Sequence, residues 1–433
     1  MKNKAALIEH GKSLLIFLLL ISAVFLLLKA TLYQPDAIIS RLSAFFGAEP
    51  VSGVAEQGTA QSAESAASPR IVLVTTEDGS HYCAKYDSAN REKLISQFSS
   101  YLGMALGSAN TPVQITEEDW QAALKQSGVY FDYIYPQPLS AVASWLGTTL
   151  SGEAGEHMAR RLYLGSYRDV LCLYYIDESD YAIYRCNTAL SFSALAVKLS
   201  ELPTGDAAFA FEQGESYNEL DPYFILSEEN TQLRAMTASN PLKDSAATTE
   251  LLELFGMSSR TTRSVLTNDG SAVYVDGEKS LSLGVSGKLS FTVTEGEGLY
   301  VAKSGSELSI GDCIALVNSI AQQSIGSMCG EATIGLIGIS NPDLPASCTL
   351  YFGYFIDGVP VQLPGSASAL RAQLSSGAVV RVDMVYRSYA YTGEALLPLP
   401  EKQACAIASL TGGEPLLRYE DKSDGMSAQW VRN

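Results

Sequence analysis

Histidine is scarce: the chain has three in 433 residues, His10, His81 and His157. A multi-histidine metal centre is therefore close to excluded, and a His-dependent triad has two plausible bases at most. Basic residues are also few, 29 Lys and Arg against 47 Asp and Glu, for a formal net charge of −18. With no basic block, nucleic-acid binding drops out as a reading. No Cys-x-x-Cys, His-Glu-x-x-His or Gly-x-Ser-x-Gly occurs, so the common redox, zinc-peptidase and nucleophile-elbow signatures are missing. The nearest approach to a phosphate loop, Gly284 to Leu289, has Ser282 where a glycine belongs and Leu289 where a magnesium-binding hydroxyl belongs. It sits between two predicted strands and reads as a hairpin turn. Disorder is excluded as well, because 47% hydrophobic and 18% charged residues can bury real cores. At ~150 residues per domain, the length suggests about three domains.

The first thirty-three residues stand apart. Residues 13–28 are uncharged and mostly apolar, and the run continues past Lys29 to Tyr33. A transmembrane helix over 13–33 is predicted, since a helix needs ~20 residues to cross a bilayer. Lys2, Lys4 and Lys12 precede it against one Glu9, so the tail 1–12 is cytoplasmic and the bulk of the chain extracytoplasmic. No small-x-small site follows the apolar run, which argues for an uncleaved anchor over a signal peptide. Within it, Ser22 and Ala23 are the candidate helix–helix contact, a small-residue spot allowing close approach. Residues 34–69 are a juxtamembrane segment and a flexible linker; the stretch 47–70 is rich in Ala, Ser, Gly and Glu and has no aromatic residue.

Beyond the linker, the fold class is α+β: two or three extracytoplasmic domains of antiparallel sheets packed with helices. Helical spacing marks 88–106 and 141–150, while Thr116-x-x-Asp119 and Ser309-x-x-Asp312 are capping boxes opening two more helices. Strand patterns fall at 71–75, 82–86, 129–135, 161–164, 170–176 and 181–186, then at 222–226, 264–267, 272–275, 281–285 and 288–293. Others follow at 333–339, 348–356, 359–363, 379–389, 416–419 and 428–431. Asn268-Asp269-Gly270, Asp276-Gly277 and Asp357-Gly358 are hairpin turns. The expected divisions are a first α+β domain at 70–200, a middle β-rich region at 201–298 and a C-terminal α+β domain at 299–433.

The search for chemistry yields little. Glu153, Glu156 and His157 cluster without a second histidine, and Asp177 and Asp180 are explained by turn formation. No catalytic, cofactor-binding or metal site is predicted. Seven cysteines all follow the apolar run, on the side where disulfides form. Cys172 and Cys186 flank one hairpin and are the candidate disulfide, provided a one-residue bulge brings them to the same face. The runs at 130–135 and 386–391 alternate tyrosine with other residues, a pattern that suits strand packing and, less so, protein–protein contact.

Several segments resemble those of the YycH/YycI family. Residues 69–73 (PRIVL) resemble its first external strand, and 133–139 (YIYPQPL) its FP-x-P segment. Leu254-Phe255 followed by 269–277 (DGSAVYVDG) is similar to its LF…dG-x-x-x-Y-x-D-G stretch. Phe352-Gly353-Tyr354 with Gly358-Val359-Pro360-Val361 resembles a later hairpin, and Leu397-Pro398, Gln403-Ala404 and Trp430 the end of the last domain. The long linker and seven cysteines depart from the family pattern. The resemblance implies a non-enzymatic, membrane-anchored regulator of a sensor histidine kinase of the WalK/YycG type, controlling cell-wall metabolism in a Gram-positive cell. The implied partners are that kinase, a second YycH/YycI-like protein and the membrane. Two other classes stay open: an extracytoplasmic binding module for wall fragments or peptides, and a carboxylate-based envelope hydrolase.

Overall fold

The computed structural model describes residues 68–433 except 151, 215–216, 228–231, 243–245, 259, 295–297, 302–307, 423–424 and 433. The predicted transmembrane helix with Ser22 and Ala23, the tail 1–12 and nearly all of the linker lie outside the described residues. Among the described residues, no helix is long and apolar enough to cross a membrane. The described residues fall within one compact unit.

The first sheet is antiparallel and seven-stranded. Its strands are β1 Ile71–Thr75, β2 His81–Ala84, β3 Val113–Ile115, β4 Gly128–Pro138, β5 Met158–Tyr167, β6 Val170–Asp177 and β7 Ile183–Ser191, in the order β2-β1-β4-β5-β6-β7-β3. Both faces are covered, which is why Val72-Leu73-Val74 and Leu171 to Tyr175 read as continuous apolar runs rather than alternating ones. One face packs on α1 Ser88–Ser108, α3 Leu139–Trp145 and α4 Ser193–Leu199. The other packs on α2 Glu117–Leu124 and on the segment carrying β8 Ala208–Phe209 and β9 Ile225–Leu226. The Thr116 side chain accepts from Asp119 N at 3.2 Å, and this cap aims the fully buried Trp120 into the second layer.

The larger sheet has twelve strands. They are β11 Arg263–Leu266, β12 Ala272–Asp276, β13 Lys279–Leu283, β14 Lys288–Val293, β15 Leu299–Tyr300, β16 Thr333–Ser340, β17 Thr349–Ile356, β18 Val359–Gln362, β19 Leu370–Ser375, β20 Ala378–Val385, β22 Pro415–Lys422 and β23 Gly425–Arg432. β10 Leu233–Ser239 and β21 Ser388–Leu396 form a separate two-stranded sheet. In the large sheet every pairing is antiparallel except β18 with β22. Strands from the expected middle region and the expected C-terminal domain share this sheet, since β14 pairs with β20.

Its apolar face packs on α5 Ala246–Leu254 and α6 Ile310–Gln323, with Phe255 stacked on Phe291 at 4.5 Å between centroids. Helix α6 opens with the expected capping box: Ser309 Oγ accepts from Asp312 N, and Asp312 accepts from Ser309 N. Its buried stripe is Cys313, Ile314, Val317, Asn318, Ile320 and Ala321. The remaining helix, α7 Glu401–Thr411, follows Pro400. Asp357 and Gly358 both take positive φ (52° and 85°), the two-residue turn that matches strand twist.

The structure departs from the sequence expectations at several places. Strand β4 runs through Pro136 instead of stopping there. Its register jumps between Asp132 and Gln137, so residues 133–136 are looped out and Pro136 needs no ladder hydrogen bond. The expected strand at 379–389 is two strands, β20 and β21, belonging to different sheets. Helix α3 ends at Trp145, short of 150.

Candidate functional site

The outer face of the large sheet is polar. Ser282, Ser290, Asp383, Arg371 and Tyr351 lie directly opposite one another across β13, β14, β20, β19 and β17, one row perpendicular to the strands. This row floors a cleft of about 1090 Å³. The hairpin of β22 and β23 forms one wall through Leu416, Arg418, Val431 and Arg432. The turn 284–288 and the 366–369 segment contribute rims, and Tyr135 enters from the first sheet. The phosphate-loop-like residues are thus a hairpin turn at the rim: Gly287 N–H donates to Gly284 O, and Gly287 takes φ +81°.

Tyr135 reaches the cleft because of the bulge in β4, and buried charge holds that bulge. Asp132, 2% exposed, accepts from Ile134 N at 2.6 Å and from Arg160 Nε and Nη2 at 2.7 and 2.8 Å. Arg160 also pairs with Glu414, which immediately precedes the wall strand β22. Burial opposes the Arg160 charge, but Asp132 and Glu414 outweigh it and hold the guanidinium protonated. Arg161 Nη2 lies 3.0 Å from Asp221 and extends the cluster. Gln137 Nε2 donates to Leu336 O at 3.2 Å, joining β4 to β16. The cluster therefore ties the first sheet to the cleft wall.

The lining carries four cations, Lys288, Arg371, Arg418 and Arg432, and two carboxylates, Asp269 and Asp383, in a chain of net charge −18. Lys288 and Arg371 are exposed and have no hydrogen-bond or ion-pair partner among the described residues. The cleft thus presents exposed positive charge on an acidic body, Lys288 unpartnered and Arg371 facing Asp383, which favours anionic groups. Burial alone would raise the Asp383 carboxyl. Hydrogen bonds from Arg381 and Ser290, with the Arg381 and Arg371 charges, bring it below its ordinary 3.8. Hydrogen bonds from Thr267 and from Ser271 lower Asp269 likewise. Exposed cations beside these carboxylates can bind an anionic group.

The other sequence candidates are dispersed. Cys172 lies beneath Trp120 and Tyr174 on one face of the first sheet, and Cys186 on the opposite face. A bulge does occur in this hairpin, but it falls between Val170 and Cys172, beyond both cysteines; the unbroken register from the turn sets Cys172 opposite Asn187, whose Oδ1 accepts from the thiol at 3.3 Å. Cys172 and Cys186 accordingly point to opposite faces and are not bonded to each other. Asp177 accepts from Met158 N and Ser179 N, and Asp180 from Ala182 N, the turn chemistry expected. His157 Nδ1 bonds Tyr175 Oη at 2.8 Å. His81 is 4% exposed, with Nδ1 3.0 Å from Thr75 Oγ1 and Nε2 3.1 Å from Glu212. This order resembles a triad, but Thr75 is fully buried and donates to Leu124 O, which withholds it from any substrate. Of the tyrosine runs, Tyr130, Tyr133, Tyr386 and Tyr389 are core, while Tyr391 is 48% exposed.

No family model matches the chain, and no curated protein matches it. One solved structure does. It is described as the crystal structure of YycH from Bacillus subtilis, with 13% identity and a TM-score of 0.53, covering 85% of this chain and 94% of that one. The fold is therefore YycH-like, as the short segments suggested. The correspondence takes in nearly the whole of YycH rather than one layer of it. The buried cluster and the cleft were missed in the sequence because their residues come from strands far apart in the chain. The one local signal was Pro136 inside an otherwise strong strand.

Proposed function

We propose that this chain is a membrane-anchored, non-enzymatic regulator of a cell-envelope sensor histidine kinase of the WalK/YycG type. Residues 68–433 lie outside the membrane and 13–33 cross it. The observation that carries the reading is the YycH-like fold over 94% of that chain. The lysine-flanked apolar run at 13–33 and the linker after it support the anchor. In this reading the single helix packs beside the kinase helices, with Ser22 and Ala23 at the contact. The cleft is the outer contact, and the exposed Lys288 and Arg371 suit an acidic segment of the partner. Such a protein shifts a two-state kinase only through differential affinity, and each tenfold difference is worth ~1.4 kcal/mol.

The cleft also favours a second reading, an external module that binds anionic wall fragments or peptides. A helix exchange separates the two. Replacing 13–33 with a polyleucine helix abolishes kinase binding if the anchor makes the contact. If a soluble chain beginning at Pro69 complements a deletion fully, the module reading replaces the regulator reading.

A further inference from the structure

Two of the seven cysteines come together, and they are not the pair the sequence suggested. Cys313 sits in the first turn of α6, and Cys348 immediately precedes β17. Both are fully buried. Both sulfurs lie within thiol hydrogen-bond distance of one carbonyl oxygen, that of Pro345, at 3.3 and 3.4 Å. Sharing that one acceptor puts the two sulfurs side by side beneath the Pro345 carbonyl. The other buried thiols have different neighbours: Cys172 donates to Asn187, and Cys329 to Gly326 O and Ala332 O.

We propose that Cys313 and Cys348 form a disulfide when the chain folds under oxidising conditions, stapling the start of α6 to the root of β17. Strand β17 carries Tyr351 of the cleft floor, and α6 backs the same sheet, so the bond fixes the cleft's support. While the chain is still folding and both thiols are exposed, one of them, here Cys348, ionises first. Its thiolate attacks one sulfur of an oxidised thiol–disulfide exchange protein, forming a mixed disulfide. Cys313, deprotonated, then attacks the Cys348 sulfur and expels the carrier's thiolate. The two cysteines lose two electrons and two protons, and the carrier leaves as a dithiol. Because both sulfurs are buried in the folded chain, the exchange takes place during folding. The finished bond then resists reductant until the chain unfolds. Oxidation in the cell rests on the outer location proposed above, whereas the pairing rests on burial and the shared Pro345 carbonyl.

The test is peptide mapping without reduction. Intact protein is taken from native membranes, with free thiols trapped by iodoacetamide at lysis and again after unfolding. The expected result is a linked peptide pair containing Cys313 and Cys348, with the other five cysteines alkylated. A parallel sample is unfolded, reduced and refolded in a glutathione redox buffer. If the link forms there but not in the native sample, the pairing stands and the outer location fails. If it forms in neither, or if either cysteine pairs elsewhere, the proposal is overturned. As a second readout, the unfolding midpoint of the wild type drops on reduction, whereas that of Cys313→Ala with Cys348→Ala does not move.

Discussion

Replacing Asp132 with alanine tests whether buried charge holds the cleft's Tyr135 in place. Asp132 is 2% exposed and receives three hydrogen bonds, two from Arg160 and one from Ile134 N. Removing one member of a buried pair leaves the other charged and only partly compensated, at ~3–5 kcal/mol. Glu414 still faces Arg160, which places the expected loss near the lower end of that range, about 3 kcal/mol. The Arg160→Met change made on top of Asp132→Ala removes the stranded charge. The double variant should therefore lose less than the sum of the singles by about 2 kcal/mol. The assay is denaturant unfolding of residues 69–433, followed by tyrosine fluorescence and by far-ultraviolet circular dichroism. A single-variant loss below about 1 kcal/mol, or singles that add within ~0.5 kcal/mol, would refute the reasoning.

Three further outcomes are expected. Burial would raise the Glu212 carboxyl, but the His81 ring and Phe209 N–H outweigh it and set its pKa below the ordinary 4.5. Its stabilisation is then full above pH 4.5 and lost as pH falls through the lowered folded-state value. Glu212→Gln should therefore flatten the acid limb of stability below the ordinary glutamate range, and an unchanged limb would count against the His81 contact. At Gly358, φ is +85° and an added Cβ would clash with the Arg91 guanidinium. Gly358→Ala should cost ~1–3 kcal/mol in unfolding measurements, and a neutral result would contradict the turn geometry. Arg371→Glu sets a carboxylate opposite Asp383 and reverses an exposed charge of the cleft. It should cost no more than ~1 kcal/mol of stability while lowering partner recovery several-fold, and undiminished recovery would remove the cleft from the contact.

What the sequence made legible was local. The capping box at Ser309, the Asp357-Gly358 turn and the stripe of α6 all follow from residues a few positions apart, and the structure contains each; at Thr116 it contains the N-cap bond alone, without the reciprocal bond from Asp119. Strand β19 alternates buried and exposed over Leu370–Ser375, yet six residues among many hydroxyls did not stand out. Strand β4 was cut short because proline lacks the ladder donor, and only the Asp132–Arg160 pairing, which the chain cannot announce locally, explains how the bulge carries it. The parallel contact of β18 with β22, the cleft floor and the Cys313–Cys348 neighbourhood join residues far apart in sequence. Proximity along one hairpin suggested Cys172 with Cys186, and the register placed them on opposite faces.

The central claim is that the chain acts through a sensor kinase held at the membrane. The direct measurement is recovery of tagged protein from native-host membranes, the intact chain beside one truncated before Pro69. The account predicts a sensor histidine kinase with the intact chain and its loss with the truncated one. No kinase with either form would contradict it.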